Sequence, residues 1–255
     1  MKLTYKTLYL LPQDQFQVAL SDDSGKREMV ESMFDSIARR YDFLNHFLSF
    51  GIDRLWRRRA IRKIARNISP SGILDVATGT GDLAIAALKL SPRKVTGIDI
   101  SENMLEIGRE KISRTGLDGT IELLAGDSEN ILFDDGSFDV AMVAFGVRNF
   151  SDPLKGLTEM CRVVRSGGMI MVLEFSKPAR FPFKQIYRLY FRRILPFFGR
   201  LFSRDRTAYT YLPESVMKFP DNKDFLLLLE KAGFVSTEQE RLTGGIASIY
   251  TGFKP

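Results

Sequence analysis

The stretch Asp75-Val76-Ala77-Thr78-Gly79-Thr80-Gly81-Asp82 closes a short apolar run with two glycines, two threonines and an acid at each end. Glycines let a backbone turn tightly and approach a ligand closely. A helix that starts just afterwards presents free N–H groups to that ligand. Asp99 stands 18 residues beyond Gly81, at the end of Val95-Thr96-Gly97-Ile98-Asp99. An acid at that place accepts hydrogen bonds from a ribose diol. Loop and acid together imply a ligand that carries a nucleoside. They do not by themselves choose between NAD and S-adenosylmethionine.

Three features favour the second. The glycine pattern is not GxGxxG, because Ala84 occupies its third glycine position, and Asp75 lies inside the first strand. A pyrophosphate disfavours negative charge beside it, whereas an ammonium and a sulfonium are attracted to it. Ala125-Gly126-Asp127-Ser128 ends a later apolar run, where Asp127 can accept from an adenine amino group. The next run is entered through Leu132-Phe133-Asp134-Asp135-Gly136-Ser137-Phe138-Asp139.

These residues need elements to hold them. Short apolar runs at 73–77, 94–100, 121–125, 138–145 and 169–175 alternate with helical patterns at 82–89, 102–115 and 152–164. Ser101 is placed to cap the second of these helices, and Pro153 sits in the first turn of the third. Such alternation predicts a parallel sheet covered on both faces. A helix at 224–232 ends at Gly233, and strands at 234–241 and 247–253 are joined by Thr243-Gly244-Gly245. A turn that short makes the two strands antiparallel. The expected fold is therefore α/β: a doubly wound, Rossmann-like, mostly parallel seven-stranded sheet whose last strand is antiparallel, with helical lid segments. One domain over 28–255 is expected. It would comprise a helical cap at 28–70, broken near Ser49-Phe50-Gly51, a cofactor-binding core at 71–176, a lid at 177–222 and closing elements at 223–255, with 1–27 as an extension ahead of the fold.

Composition narrows the class. At 255 residues and 44% hydrophobic, the chain can bury a sizeable core. Its one cysteine, Cys161, excludes a disulfide framework and reads as a small buried residue. No apolar stretch reaches the length of a membrane span. The net charge of +6 concentrates at 54–66 and 180–206. The second cluster mixes arginines with Phe, Tyr, Leu and Ile. Residues 183–202 suit either an interfacial helix at a membrane surface or a run of core rings with a solvated arginine face. No nucleic-acid partner and no metal are expected; a homodimer is left open.

The motifs at 72–175 resemble, in order, the DxxTGTGD, GIDIS, GD and LPFxDxSFD patterns of class I S-adenosylmethionine-dependent methyltransferases. A narrower resemblance runs from about residue 28. Phe34-Asp35-Ser36-Ile37-Ala38-Arg39-Arg40-Tyr41-Asp42-Phe43-Leu44-Asn45 is similar to FDxIAxxYDxLN, and Phe145-Gly146-Val147-Arg148-Asn149 to FGxRN. Leu173-Glu174-Phe175-Ser176-Lys177-Pro178 and Pro196-Phe197-Phe198-Gly199 continue it. These belong to the menaquinone/ubiquinone biosynthesis C-methyltransferases. The resemblance implies methylation of a ring carbon on a polyprenylated quinol, most closely demethylmenaquinol to menaquinol. It also implies a cytoplasmic enzyme peripheral to the inner face of the membrane where that substrate resides. Cofactor contacts are expected from Asp75, Thr78, Gly79, Thr80, Gly81, Asp99, Ile100, Asp127 and Ser128. Some relatives carry a cofactor-contacting serine where this chain has Ala144.

A quinol carbon becomes nucleophilic when a hydroxyl is deprotonated, so the site must stabilise a quinolate. Arg148 is expected to hold the oxyanion or polarise a water, and Asn149 to hydrogen-bond the second ring oxygen. Tyr41 is expected to line the acceptor pocket. His46, the single histidine, is an alternative base or a structural residue.

Overall fold

The computed structural model describes residues 23–49, 51–190, 193 and 207–255, and of the side chains at 23–24, 39–48, 188 and 207–210 nothing is described. Its centre is a seven-stranded sheet: β1 (Gly72–Val76), β2 (Lys94–Asp99), β3 (Ile121–Ala125), β4 (Phe138–Ala144), β5 (Val164–Phe175), β6 (Val235–Leu242) and β7 (Ala247–Phe253). The spatial order is β3-β2-β1-β4-β5-β7-β6. β1 through β5 are parallel, and β7 runs antiparallel between β5 and β6.

Alternation along the strands feeds two cores. Ile73, Val140 and Met142 pack with Trp56, Leu83 and Leu105 on one face. Leu74, Val76, Ala141 and Val143 pack with Leu157 and Phe225 on the other. Asp75 has the parity of Ile73, so it points to the face of Trp56. The helices behind these residues are α1 (Asp23–Leu48), α2 (Ile52–Ala65), α3 (Asp82–Ala87), α4 (Glu102–Arg114), α5 (Pro153–Val163), α6 (Phe183–Leu189), α7 (Thr207–Lys218) and α8 (Lys223–Lys231). Ser101 caps α4 by accepting from the Met104 N–H, and Asp152 caps α5 by accepting from Leu154 and Lys155.

Three boundaries differ from expectation. α1 starts at Asp23, inside the stretch expected to precede the fold. Its first side chains are held: Lys26 donates to the Phe150 carbonyl and Arg27 to Asp127. The helix expected at 152–164 and the strand expected at 169–175 leave 165–168 between them. Instead β5 begins directly at Val164, and its register against β4 shifts between Phe138 and Val140. The Gly167 N–H donates to the Lys254 carbonyl, which keeps this stretch attached to the sheet. The expected 183–202 helix is described only in its first part, as α6; most of the remainder lies outside the described residues.

Candidate active site

β1 lies between β2 and β4, and the chain leaves these two neighbours in opposite directions along the sheet. Open α/β sheets bind ligands at the carboxyl ends of strands flanking such a point. Here the two strands that flank it end in unusual backbone: Ala77 after β1 and Phe145 after β4 both have positive φ, 52° and 59°. A non-glycine residue in that region costs about 1 kcal/mol or more. Both residues border an open cleft with about 710 Å³ of unfilled space.

The loop after β1 forms the floor of that cleft. Gly79 has φ 57°, and nothing lies within 4 Å of where a side chain would project. The Gly79 N–H donates to Asp99 Oδ2 at 2.8 Å, and the Ser101 N–H to Oδ1 at 2.9 Å. Asp99 is thereby fixed at the end of β2 with its outer lone pairs toward the cleft. Burial raises its pKa above the ordinary range, against those backbone bonds and with a further push from Asp35. Ile100, Asp127 and Ser128 line the same cleft.

α1 forms the roof. Val30 and Phe34 line the cleft, the Ser101 hydroxyl donates to Asp35 at 2.5 Å, and Arg27 pairs with Asp127 at 2.6 Å. Sequence reasoning missed Arg27, Val30 and Asp35 as neighbours of the cleft. Their partners lie 66 to 100 residues away, beyond any local pattern.

A smaller pocket continues the cleft beyond Gly79, sharing Ala77, Gly79, Ala144 and Phe145 with it and walled by Arg57, Asp75, Thr78 and Asp82. Asp75 is buried, with its Oδ2 accepting from the Thr78 hydroxyl at 2.7 Å. Burial pushes its pKa up to about 7, and Thr78, the Ala84 amide and Arg57 pull it back only in part. Its Oδ1 has no hydrogen-bond partner of ordinary geometry among the described residues. Thr80 lines this pocket too; its hydroxyl accepts from Lys111 at 3.1 Å, and Lys111 also holds Asp82 at 2.9 Å. Gly81 starts α3 with φ 80°.

At the end of β4 the two expected acceptor residues separate. Asn149 lines the cleft, and its Oδ1 accepts from the Tyr211 hydroxyl of α7 at 3.2 Å. Arg148 turns away. Its Nη1 donates to the Phe145 carbonyl and to Glu174 Oε1, the latter at 2.9 Å, and its guanidinium stacks 5.4 Å from the centre of the Phe175 ring. The pair is buried, with Arg148 7% and Glu174 0% exposed. Glu174 and the Phe145 carbonyl engage Nη1, while the buried Nε has no hydrogen-bond partner among the described residues. The signal for Glu174 was an acid ending the apolar run Met169-Ile170-Met171-Val172-Leu173, which requires a cation beside it. The side chains of Tyr41, Asp42 and His46 lie outside the described residues.

The residues fit a nucleoside sulfonium donor. The acid at the ribose position is fixed, the loop leaves open space at Gly79, and the pocket beyond is acidic, with no phosphate-binding cation cluster on the loop. Fold and site together define a class I S-adenosylmethionine-dependent methyltransferase. A solved S-adenosylmethionine-dependent methyltransferase from Aquifex aeolicus shares the fold at TM-score 0.57 and 21% identity, over 78% of this chain and 89% of its own. The [4+2]-cyclase SpnF does so at TM-score 0.65 and 18% identity, over 90% and 97%. Residues 22–254 match the ubiE/COQ5 methyltransferase family, and the chain belongs to that family. It is 45% identical over 244 residues to a demethylmenaquinone methyltransferase of Bacteroides fragilis, covering 95% of this chain and 99% of the relative. It is 49% identical over 232 residues to a ubiquinone/menaquinone biosynthesis C-methyltransferase of Geotalea daltonii, covering 90% and 97%.

Proposed function

We propose that this methyltransferase alkylates a ring carbon of a polyprenylated quinol, converting demethylmenaquinol to menaquinol. The names of both relatives support the substrate class. The observation that carries the reading is the apolar part of the cleft lining. It is built from Ala144, Phe145, Phe150, Val30 and Phe34, with Asn149 as a polar group backed by Tyr211. An aromatic ring with an oxygen at its edge suits such a wall.

Bound S-adenosylmethionine supplies an electrophilic methyl group at its sulfonium. Replacing a ring hydrogen by that methyl group would release one proton overall, the ring oxygen giving up its proton to activate the carbon and regaining one as the ring hydrogen leaves. The protein's main contribution is alignment of the two reactants. Asp99 and the Gly79 loop fix the donor, and Asn149 donates an N–H to a ring oxygen. Arg148 acts by position: with Glu174 it holds the turn that presents Asn149. Candidate donor contacts are Asp75, Thr78, Gly79, Gly81, Asp99, Ile100, Asp127 and Ser128, with Thr80 supporting the loop through Lys111.

No helix among the described residues is long and apolar enough to cross a membrane. A lipid-soluble acceptor must then be met at the membrane surface. Phe181, Ile186 and Leu189 are 80%, 54% and 57% exposed on and beside α6, next to exposed Arg180 and Lys184. That mixture supports peripheral docking on anionic lipid. Flotation with anionic vesicles at low salt is expected to carry the protein upward; sedimentation apart from the vesicles refutes docking.

The substrate is tested with labelled donor and short-chain demethylmenaquinol beside the corresponding demethylated benzoquinol. Label is expected in the naphthoquinol. The wider name of the Geotalea daltonii relative makes a benzoquinol substrate the second reading, which a comparable benzoquinol rate supports. No label in either, with donor binding intact, refutes both.

A further inference from the structure

The turn Val147–Asn149 after β4 ends on a carboxamide whose two edges are told apart by their partners. The Phe145 backbone beside it is fixed: its N–H donates to the Leu173 carbonyl at 2.8 Å, and its own carbonyl accepts from Arg148 Nη1. Asn149 Nδ2 lies 3.4 Å from that same carbonyl. A carbonyl oxygen only accepts, so the amide edge that faces it is the nitrogen. The reversed amide would set two oxygens against each other. The oxygen edge therefore faces α7, where Oδ1 accepts from the Tyr211 hydroxyl at 3.2 Å.

The remaining hydrogen-bonding capacity decides what Asn149 can offer the cleft it lines. The amide nitrogen carries two N–H groups. One is directed at the Phe145 carbonyl, and the other is left for a ligand. An N–H suits an oxygen that accepts. A hydrogen bond to an ionised oxygen is about twice as strong as one to a neutral oxygen. The orientation of this one amide thus discriminates between the ionised and the neutral form of an aromatic hydroxyl. Tyr211, 62 residues away in sequence, is the partner that holds the oxygen edge. Without its hydroxyl, only the long contact at Phe145 opposes a half-turn that would present Oδ1 instead.

We propose that Tyr211 is a positioning residue for the acceptor: by holding Asn149 Oδ1 it keeps an Asn149 N–H turned into the cleft, and the cleft thereby selects the ionised form of an aromatic hydroxyl. The inference rests on the acceptor being a quinol, and it adds to that reading a device for choosing the reactive protonation state.

The charged groups around Asn149 are Lys26 and Arg27 of α1, Asp99 of β2, Asp127 and Glu129 after β3, Arg148 beside it and Glu174 of β5. Tyr187 of α6 interacts with Arg148 and Glu174, and burial pushes its phenol well above the ordinary range. All of them stay in place when Tyr211 is replaced by phenylalanine, which also keeps the ring that α7 packs.

The probe is 4-nitro-1-naphthol, a tail-less aromatic hydroxyl whose ionised and neutral forms differ in absorbance. Its affinity is measured below and above the pH at which it ionises in solution, with S-adenosylhomocysteine at saturation. The wild-type protein is expected to bind the naphtholate about tenfold more tightly than the naphthol. Tyr211→Phe is expected to weaken the naphtholate by about tenfold and leave the naphthol unchanged. In an Asn149→Ala background the same substitution is expected to change neither, since Tyr211 acts through the amide. Equal weakening of both forms by Tyr211→Phe marks a merely structural role and overturns the proposal. Equal wild-type affinity for the two forms overturns it, as does an undiminished effect of Tyr211→Phe in Asn149→Ala. A wild-type protein that binds S-adenosylhomocysteine and neither form of the naphthol refutes the quinol reading itself, and the proposal with it.

Discussion

Asp75 and Glu174 end neighbouring parts of one sheet, both fully buried, both with carboxyl pKa values raised by loss of solvent. Their surroundings differ. Glu174 Oε1 accepts from Arg148 Nη1 and from the Phe175 N–H, both at 2.9 Å, and a cation lies against it. Asp75 has one side-chain donor, the Thr78 hydroxyl, helped by the Ala84 amide, and an Oδ1 without a hydrogen-bond partner of ordinary geometry among the described residues, in a pocket that opens into the cleft. A buried acid that is closed off by its own protein acts on the fold. One left incomplete beside open space acts on a ligand. Burial and a shifted pKa alone do not separate the two cases; the count of partners does.

The contrast is broken most forcefully at the closed pair. Glu174→Ala strands the Arg148 guanidinium in the core, and a buried charge without its partner costs about 3–5 kcal/mol. Urea denaturation is expected to show a loss of that order. Adding Arg148→Met is expected to recover part of it, because the uncompensated charge is gone. If the single variant is as stable as the wild type, Arg148 does not depend on Glu174 and the pair is not closed.

Asp75→Asn is expected to behave in the opposite way. Between the ordinary value of 3.8 and about 7, the folded state binds a proton that the unfolded state releases. The stability Asp75 contributes is full below about pH 3.8 and is lost as pH rises through about 7. At pH 8 the asparagine variant is therefore expected to be no less stable than the wild type. Donor binding is expected to fall by at least about tenfold, roughly 1.4 kcal/mol. Below pH 7 Asp75 is protonated and offers no anion to the ammonium, so wild-type donor affinity is expected to rise as pH climbs through about 7. Arg57, Thr78 and the Ala84 amide favour the charged form from α2, the loop and α3, and Asp99 opposes it from β2. Calorimetry across pH 6–8 checks the trend; a slope that persists in Asp75→Asn assigns it to another group.

The two sites were not equally legible. Loop glycines and an acid closing a strand are local features, so Gly79, Asp99 and Asp75 could be read from spacing, as could the sheet. Arg57 was visible only as one of many positive charges at 54–66. Its spacing of four from Asp53 on a helix was the available signal, since it predicts an ion pair and so a fixed guanidinium. Arg148 was read as facing the acceptor because it follows β4. Its Nη1 is held by Glu174, 26 residues later on β5, and register across a sheet is not a local property. The roof contacts of α1 are more distant still. SpnF, with the same fold and a name for different chemistry, shows why such side chains matter more than the sheet that carries them.

The smallest expected effect tests the partner count itself. Thr78→Val keeps shape and removes the one side-chain donor to Asp75. A hydrogen bond to a carboxylate favours its charged form, so its loss is expected to raise the Asp75 pKa further. The rise of donor affinity should move to higher pH, leaving affinity a few-fold lower at pH 7.5 and converging with the wild type at higher pH. Stability should change by about 1 kcal/mol or less, because the acid left behind can take up a proton rather than remain buried as an anion. Glu174 has no such escape while Arg148 lies against it, since protonating it would strand the guanidinium. A Thr78→Val profile that keeps the wild-type midpoint would mean that the Ala84 amide and Arg57 hold Asp75 without help from Thr78, and the distinction between the open acid and the closed one would fail.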